Sequence, residues 1–484
     1  LARHPKFKPA RTAIALAAIL AIAATAACSS NSSDSSSSGS SSTPPSGDLE
    51  AAVNAYVYTY PLVSVELTRR MMTNVAAPDP AKGMAPLNQL APMAFLPDAS
   101  FEAVVRPNVD TLYTSMLFDV AAEPLVVTVP AMGDRYHLFP VLDMWTNVDA
   151  APGSRTIPEA GKGYEFAIVG PNWQGTLPTG VHEYRLPTDA GWMIGRVSVD
   201  GSDDVPNVIA LQEKTTAVPL SSYGKPDTAP QHGDIHPDWP AKQPVADYLH
   251  NLTAQQYWDL YYSSLSHTQT RPEDKALLEQ LAKAGWSPDK KLDLSQLPSA
   301  DSARWEQAWP KALSRIETRP HEEPVNGWQT VRKNIGDYGT DYSTRAIIAF
   351  LGLGANLPQD AIYPVTSVDQ QNARLNSDRN YVLHFDAGRI PPVHGFWSVT
   401  MYDPKGYFVA NPINRFAVRG DRLTKNADGS IDIWIQRENP GQDREANWLP
   451  APASGDFNLT MRTYWPDQKI VDGEWNPTAV EITG

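Results

Sequence analysis

Apolar residues recur at three- and four-residue spacing through 48–77, where Ala52, Ala55, Tyr56, Tyr60, Val63 and Leu67 fall on one helical face. Asp48 stands in an N-cap position, and Pro61 predicts a kink or break because proline has no amide hydrogen to donate. From 100 to 225 the period changes. SMLFDV, LVVTVP, YHLFPVLD, YEFAIVG, VHEYRLP and GWMIGRVSV are short apolar or alternating runs separated by Pro, Gly, Asn and Asp. That is strand punctuation, at a spacing that suits a sandwich or barrel, with a short helix within 207–220. Helical spacing returns over 245–356, with Thr253 and Asp301 in N-cap-like positions and Gly285 as a C-terminal stop. Strands resume from 376 in YVLHFD, GFWSVTMYD, IDIWIQ and FNLTMRTYW, and Asn426 to Gly429 predicts a hairpin turn before Ile431. The fold class that follows is mainly β with a helical insert (α+β).

The N-terminus has a different grammar. A basic stretch carrying Arg3, Lys6, Lys8 and Arg11 precedes an apolar run from Thr12 to Ala24, then Thr25-Ala26-Ala27-Cys28. This is the order of a secretory signal, and a cysteine after small residues is where a lipoprotein is cut and acylated. Thr25 departs from the leucine usual there. The expected organisation is a signal peptide at 1–27 and a lipidated Cys28 with a Ser-rich tether over 28–47. A helix plus β domain then spans 48–225, a linker and helical insert 226–375, and a second β domain 376–484. On this reading the globular part lies outside the cytoplasm, touching the bacterial cell membrane through its lipid alone.

Composition narrows the chemistry. The chain has 484 residues, a formal charge of −14 and one cysteine. An acidic surface disfavours nucleic acid, which needs clustered cations. With its only thiol at Cys28, the chain is not expected to form internal disulfides, zinc–cysteine centres or a cysteine nucleophile. The 43 prolines, above the usual ~5%, mean many loops and strand ends.

The common catalytic signatures are missing: no G-x-S-x-G, no P-loop, no dinucleotide loop, no zincin or EF-hand pattern. His232, Asp234 and His236 alternate and could share a divalent metal, although their proline-rich surroundings suit a polar loop better. Arg106, Asn108 and Asp110 also alternate, so a strand would point all three to one face. There Asp110 would serve as general acid or base, Arg106 as charge stabiliser and Asn108 as positioner, with Tyr113 a donor or stacking platform. An internally satisfied ion-pair network explains the same pattern. Trp145 and Trp397, together with Trp173, Trp192, Trp434, Trp448 and Trp465, supply flat faces for core packing or for a planar or sugar ligand. Among them Trp448, beside Asn447 in a loop-like run, is the preferred binding candidate. Arg415 and Arg462 could hold anionic groups or pair with acids such as Asp403. Parity also places His137 and Asp143 on one face, as a proton relay would require.

Two blocks carry a family resemblance. The first runs from Arg106-Pro107-Asn108-Val109-Asp110 through Ser115, preceded by Tyr56-x-Tyr-x-Tyr60-Pro61-Leu62. The second runs from Pro391-Pro392 and Phe396-Trp397-Ser398 to Tyr402-Asp403, then through Asn411-Pro412, Arg415 and Asn447-Trp448-Leu449-Pro450, to Arg462-x-Tyr464-x-Pro466. Together they resemble the paired domains of unknown function 1254 and 1214. The resemblance implies two jelly-roll-like β-sandwich domains joined by a helical region, and it leaves activity open. The leading functional expectation is a carboxylate acid/base hydrolase acting on a small or oligomeric polar substrate. The rival is a non-enzymatic envelope module that binds a small-molecule or glycan-like ligand or acts as a scaffold. No cofactor is expected beyond the weak metal candidate.

Overall fold

The structure, a computed structural model, describes residues 46–101, 106–226, 232–240, 244–265, 268–318 and 323–483. The expected signal sequence, Cys28 and nearly all of the expected tether lie outside them. Among the described residues no helix is long and apolar enough to cross a membrane.

The first half contains helix α1 (Ser46–Thr73), then strands β1 (Ala91–Pro92), β2 (Thr111–Asp119), β3 (Leu125–Val129), β4 (His137–Leu138), β5 (Val141–Asp143), β6 (Val148–Ala150), β7 (Tyr164–Val169), β8 (Val181–Arg185) and β9 (Ala190–Ser198). Helix α2 (Val205–Lys214) and β10 (Thr216–Pro219) complete it. One sheet has the order β1-β2-β9-β5-β6 with β4 also on β9; the other is β10-β3-β7-β8. They meet around Leu112, Met116, Phe118, Val127, Phe166, Ile168, Met193 and Val197.

Helices α3 (Val245–His250), α4 (Ala254–Ser264), α5 (Lys275–Lys283), α6 (Ser299–Glu317) and α7 (Tyr342–Gly352) follow. They pack with α1 around Tyr56, Tyr257, Trp258, Trp305 and Trp309. So α1 belongs to the helical layer, although it precedes the first sheet in sequence. It runs unbroken through Pro61. Its residues from Ala55 to Leu67 are buried on every side, and that packing offsets the ~3 kcal/mol of a mid-helix proline. Thr253 forms the expected cap of α4, a reciprocal capping box with Gln256. Asp301 is not a cap; it lies in the first turn of α6.

The second half holds β11 (Ala361–Ile362), β12 (Val365–Thr366), β13 (Asn380–Phe385), β14 (Trp397–Tyr402), β15 (Ala417–Arg419), β16 (Ile431–Gln436), β17 (Trp448–Pro450), β18 (Asn458–Tyr464), the short α8 (Gln468–Val471) and β19 (Val480–Thr483). Its sheets are β11-β18-β14-β15, with β12 on β18, and β17-β16-β13-β19. The second half's strands therefore begin at Ala361, ahead of residue 376. The turn at Asn426–Gly429 forms, with Gly429 at φ 86°. It joins no hairpin: β15 and β16 lie in different sheets, so the chain crosses between layers there. The architecture is α+β, mostly open sheets with helices.

Strand alternation decides what faces the junction of the two halves. On β14 and β18, Val399, Met401, Leu459 and Met461 point into the second half's own core. The intervening Ser398, Thr400, Tyr402, Thr460, Arg462 and Tyr464 are therefore on the opposite face. On β9, Met193 and Val197 serve the first core, while Trp192 and Ile194 join an apolar cluster with Phe396 and Tyr464. Arg196 shares their parity. Both faces of β9 are covered, and every one of its residues is buried.

Candidate functional site

The junction contains a buried polar network and, beside it, an open cleft. The network begins at Arg106, whose φ of 54° is left-handed. Strand β2 starts only at Thr111, so residues 106–110 are not on a strand and parity is not what gathers them. Instead Asn108 folds back, its Oδ1 accepting from the amides of Asp110 (2.5 Å) and Thr111 (3.2 Å). Its Nδ2 donates to the hydroxyls of Tyr464 (2.8 Å) and Tyr113 (3.3 Å). The Asp110 carboxylate accepts from Ser398 Oγ (2.6 Å) and the Tyr464 hydroxyl (3.3 Å). Arg106 donates to Thr460 Oγ1 (2.6 Å). Arg462 donates to Thr400 Oγ1 (2.7 Å), the Tyr402 hydroxyl (2.6 Å) and the Arg106 carbonyl (3.3 Å). Tyr402 in turn donates to the Pro107 carbonyl at 2.6 Å. Arg106, Asp110 and Arg462 are 3%, 3% and 1% exposed, so the 106–110 segment is sewn into β14 and β18 with its carboxylate enclosed.

The cleft has a volume of about 480 Å³, within the range of small-ligand sites. Arg135, Ser154, Asp204, His394, Arg419 and Trp465 are among its lining residues, with Tyr136 and Phe396 on its inner wall. Phe396 stacks on Tyr464 at 4.4 Å, so that wall separates the cleft from the network. The cleft's guanidiniums are already neutralised. Arg135 pairs with Asp204 at 2.9 Å, and Arg419 pairs with Asp421 at 2.9 Å while lying 3.7 Å above the Phe396 ring. Asp200 pairs with Arg422.

Trp465 has φ 49°, a left-handed conformation uncommon for a bulky residue. Its amide donates to the Asp360 carbonyl and its carbonyl accepts from the His394 amide, both at 2.8 Å. Its partly exposed ring lies 5.2 Å from the His394 ring.

Ser154 and His137 resemble a nucleophile and base, with Oγ 3.3 Å from Nδ1. That nitrogen is also 3.0 Å from the Arg135 carbonyl, which takes its proton. The remaining lone pair is on the buried Nε2, which has no partner. Burial lowers the imidazole pKa, keeping it neutral. No Ser–His pair is assembled.

The other sequence candidates are dispersed. Trp145 is inside the helical layer, its indole N–H on the Gln269 carbonyl. Trp397 is buried in the second core against Phe385. Trp448 is not in a loop: it opens β17, 3% exposed, with its indole N–H on the Gln436 carbonyl. It has no free face for a ligand. Asn447 bonds Thr424 and the Asp432 carbonyl, and Arg415 bonds the carbonyls of Glu445 and Trp448 rather than Asp403. The strand breaks between β4 and β5, so His137 and Asp143 do not share one run, and Asp143 pairs with Arg271. Among the described residues no three His, Cys, Asp or Glu side chains are grouped to hold a metal, and the His236 ring stacks on Trp239 at 3.9 Å. Arg135, His394 and Arg419 carried no sequence signal beyond residue type. Trp465 did, as one of the tryptophans inside the second block.

Residues 87–219 match the family model described as a protein of unknown function (DUF1254), and residues 360–468 match the one described as DUF1214. The chain belongs to the DUF1254–DUF1214 pair. Every cleft residue lies in one or other match, from Met132 to Asp204 in DUF1254 and from His394 to Trp465 in DUF1214, so the cleft is where the pair meets. The crystal structure of the VPA0106 protein from Vibrio parahaemolyticus is similar at a TM-score of 0.68 and 23% identity, covering 90% of this chain and 100% of that one. That likeness shows a shared fold. A structure of an uncharacterized protein from Burkholderia cenocepacia aligns at a TM-score of 0.41 and 14% identity, over 90% of this chain and 94% of that one. No curated protein matches the chain.

Proposed function

We propose that the DUF1254–DUF1214 pair binds a small, neutral, polar ligand of the sugar or polyol class in the cleft, as a binding module rather than a hydrolase. Trp465 carries this reading. Holding a bulky residue in left-handed backbone costs on the order of 1–3 kcal/mol, and such strain concentrates where a side chain must be aimed. Here it keeps a partly exposed indole on the cleft wall. A flat indole face stacks on a sugar ring, while the paired Arg135 and Arg419 offer hydrogen bonds without surplus charge. Hydrolysis through Asp110 has less support, because Ser398 and Tyr464 occupy that carboxylate and it is 3% exposed. We further read each sheet pair as a jelly-roll-like domain with its own core, and Cys28 as the acylation site of an exported chain.

A thermal-shift panel tests the binding reading. A ligand held at 100 times Kd stabilises by about 2.7 kcal/mol, enough to raise Tm by a few degrees. Sugars or polyols should raise it, and Trp465→Ala should remove the shift. A rise with no member of the panel would overturn the reading.

A further inference from the structure

Among the acids that line the cleft, one carboxylate is not used by the protein itself. Asp204 is paired with Arg135 at 2.9 Å, Asp421 with Arg419 at 2.9 Å and Asp200 with Arg422. Asp134, also on the lining, is exposed, and among the described residues its side chain makes no hydrogen bond or ion pair.

The backbone beneath Asp134 is held. Gly133 stands at φ 59°, which suits glycine, and the Arg135 amide donates to the Met132 carbonyl at 3.2 Å, closing a turn with Asp134 in its third position. The turn is tied from outside, because the Gly133 amide donates to the Gly161 carbonyl at 3.0 Å. The two glycines pack so closely that a Cβ on Gly161 would lie 2.3 Å from the Gly133 carbonyl oxygen. Asp134 thus stands on a fixed turn at the cleft rather than on a loose loop.

Ser154, on the same lining, supplies the complementary group. Its Oγ accepts from the His137 amide at 3.0 Å. The nearby His137 Nδ1 carries a proton, directed at the Arg135 carbonyl, so it cannot take the Ser154 proton as well. The hydroxyl therefore keeps a donor for the cleft, and Trp465 adds a flat face from the other half.

A carboxylate has two oxygens that only accept, and two adjacent hydroxyls of a sugar or polyol span them. Resting on the reading that the cleft takes such a ligand, we propose that Asp134 is the residue that selects it, accepting from two neighbouring hydroxyls while Ser154 donates to a further ligand oxygen. No cation is paired with Asp134, so the same carboxylate repels sugars that carry an acid group.

The test is saturation-transfer NMR titration of the full chain with D-glucose, D-galactose, D-mannose and xylitol, each against its own acid: glucuronate, galacturonate, mannuronate and xylonate. At least one neutral compound should bind saturably, and better than its acid by about fivefold, the scale of one like-charge contact in water. Asp134→Asn keeps one acceptor oxygen and removes the charge. It should weaken the neutral compound severalfold and abolish the preference over the acid, a change that loss of packing would not produce. Ser154→Ala should weaken the neutral compound and keep the preference. Trp465→Ala should abolish binding of both. Neutral and acidic partners bound equally by the wild type, or a preference that survives in Asp134→Asn, would overturn this inference and leave the cleft reading standing on the Trp465→Ala result. No saturable signal from any pair would overturn both.

Discussion

Tyr402→Phe removes one oxygen from the centre of the stitch between the two halves. The ring is fully buried, stacked on Phe408 at 5.4 Å, so phenylalanine keeps its packing. Two bonds of 2.6 Å disappear: the one to the Pro107 carbonyl and the one from Arg462. The buried Pro107 carbonyl is left without that donor, at a cost of about 1–3 kcal/mol. A hydrogen bond to a charged group contributes about 1.5–3 kcal/mol more, partly recovered because Arg462 keeps Thr400. The expected loss is about 2–4 kcal/mol, a large share of the 5–15 kcal/mol that typically separates folded from unfolded chains. Urea unfolding followed by near-UV circular dichroism measures it. Arg462→Met removes the other partner, and the two changes should couple by about 1–3 kcal/mol in a double-mutant cycle. A loss below about 0.5 kcal/mol, or strict additivity, would refute the view that residues 106–110 are welded to β14 and β18 through this hydroxyl.

Three further outcomes are expected. Burial holds the Asp360 carboxyl above the usual carboxylate range, against the pull of Arg155. The folded chain then keeps a proton that the unfolded chain releases, so this residue's contribution to stability falls as pH rises from about 4. Asp360→Asn should flatten that decline in Tm as pH rises from about 4, and an unchanged slope would contradict it. Thr253→Ala breaks the capping box with Gln256 and should cost about 1 kcal/mol in urea unfolding, whereas no loss would show the cap to be idle. Cys28→Ala should abolish incorporation of an alkynyl palmitate by the full chain in a bacterial host, and labelling that persists would count against acylation there.

Periodicity made the alternation of strand, helix and strand regions legible, because each period follows from which side of an element meets a core. Thr253 was legible for a similar reason: a cap is a local event written in two residues. What escaped depends on contacts between distant segments. Arg106, Asn108 and Asp110 do converge, but through a left-handed residue and a side chain folded back on the chain, not through strand parity. Pro61 was read as a kink or break because its cost is local, while the packing that offsets it comes from residues some 200 positions away. Trp448 had polar neighbours in sequence, yet Asn447 spends its amide on Thr424 and Asp432 and the indole turns inward. The cleft was the least legible feature. Arg135, His394, Arg419 and Trp465 come from both halves, and nothing in their local sequence marks them as neighbours.

Isothermal titration calorimetry of the described globular region with the sugar or polyol that most raises Tm, on wild type and Trp465→Ala, addresses the cleft most directly. Saturable binding to the wild-type protein, lost in a Trp465→Ala variant whose circular dichroism is unchanged, is the expected result. Equal affinity for both proteins would place the ligand elsewhere and contradict a cleft built around Trp465.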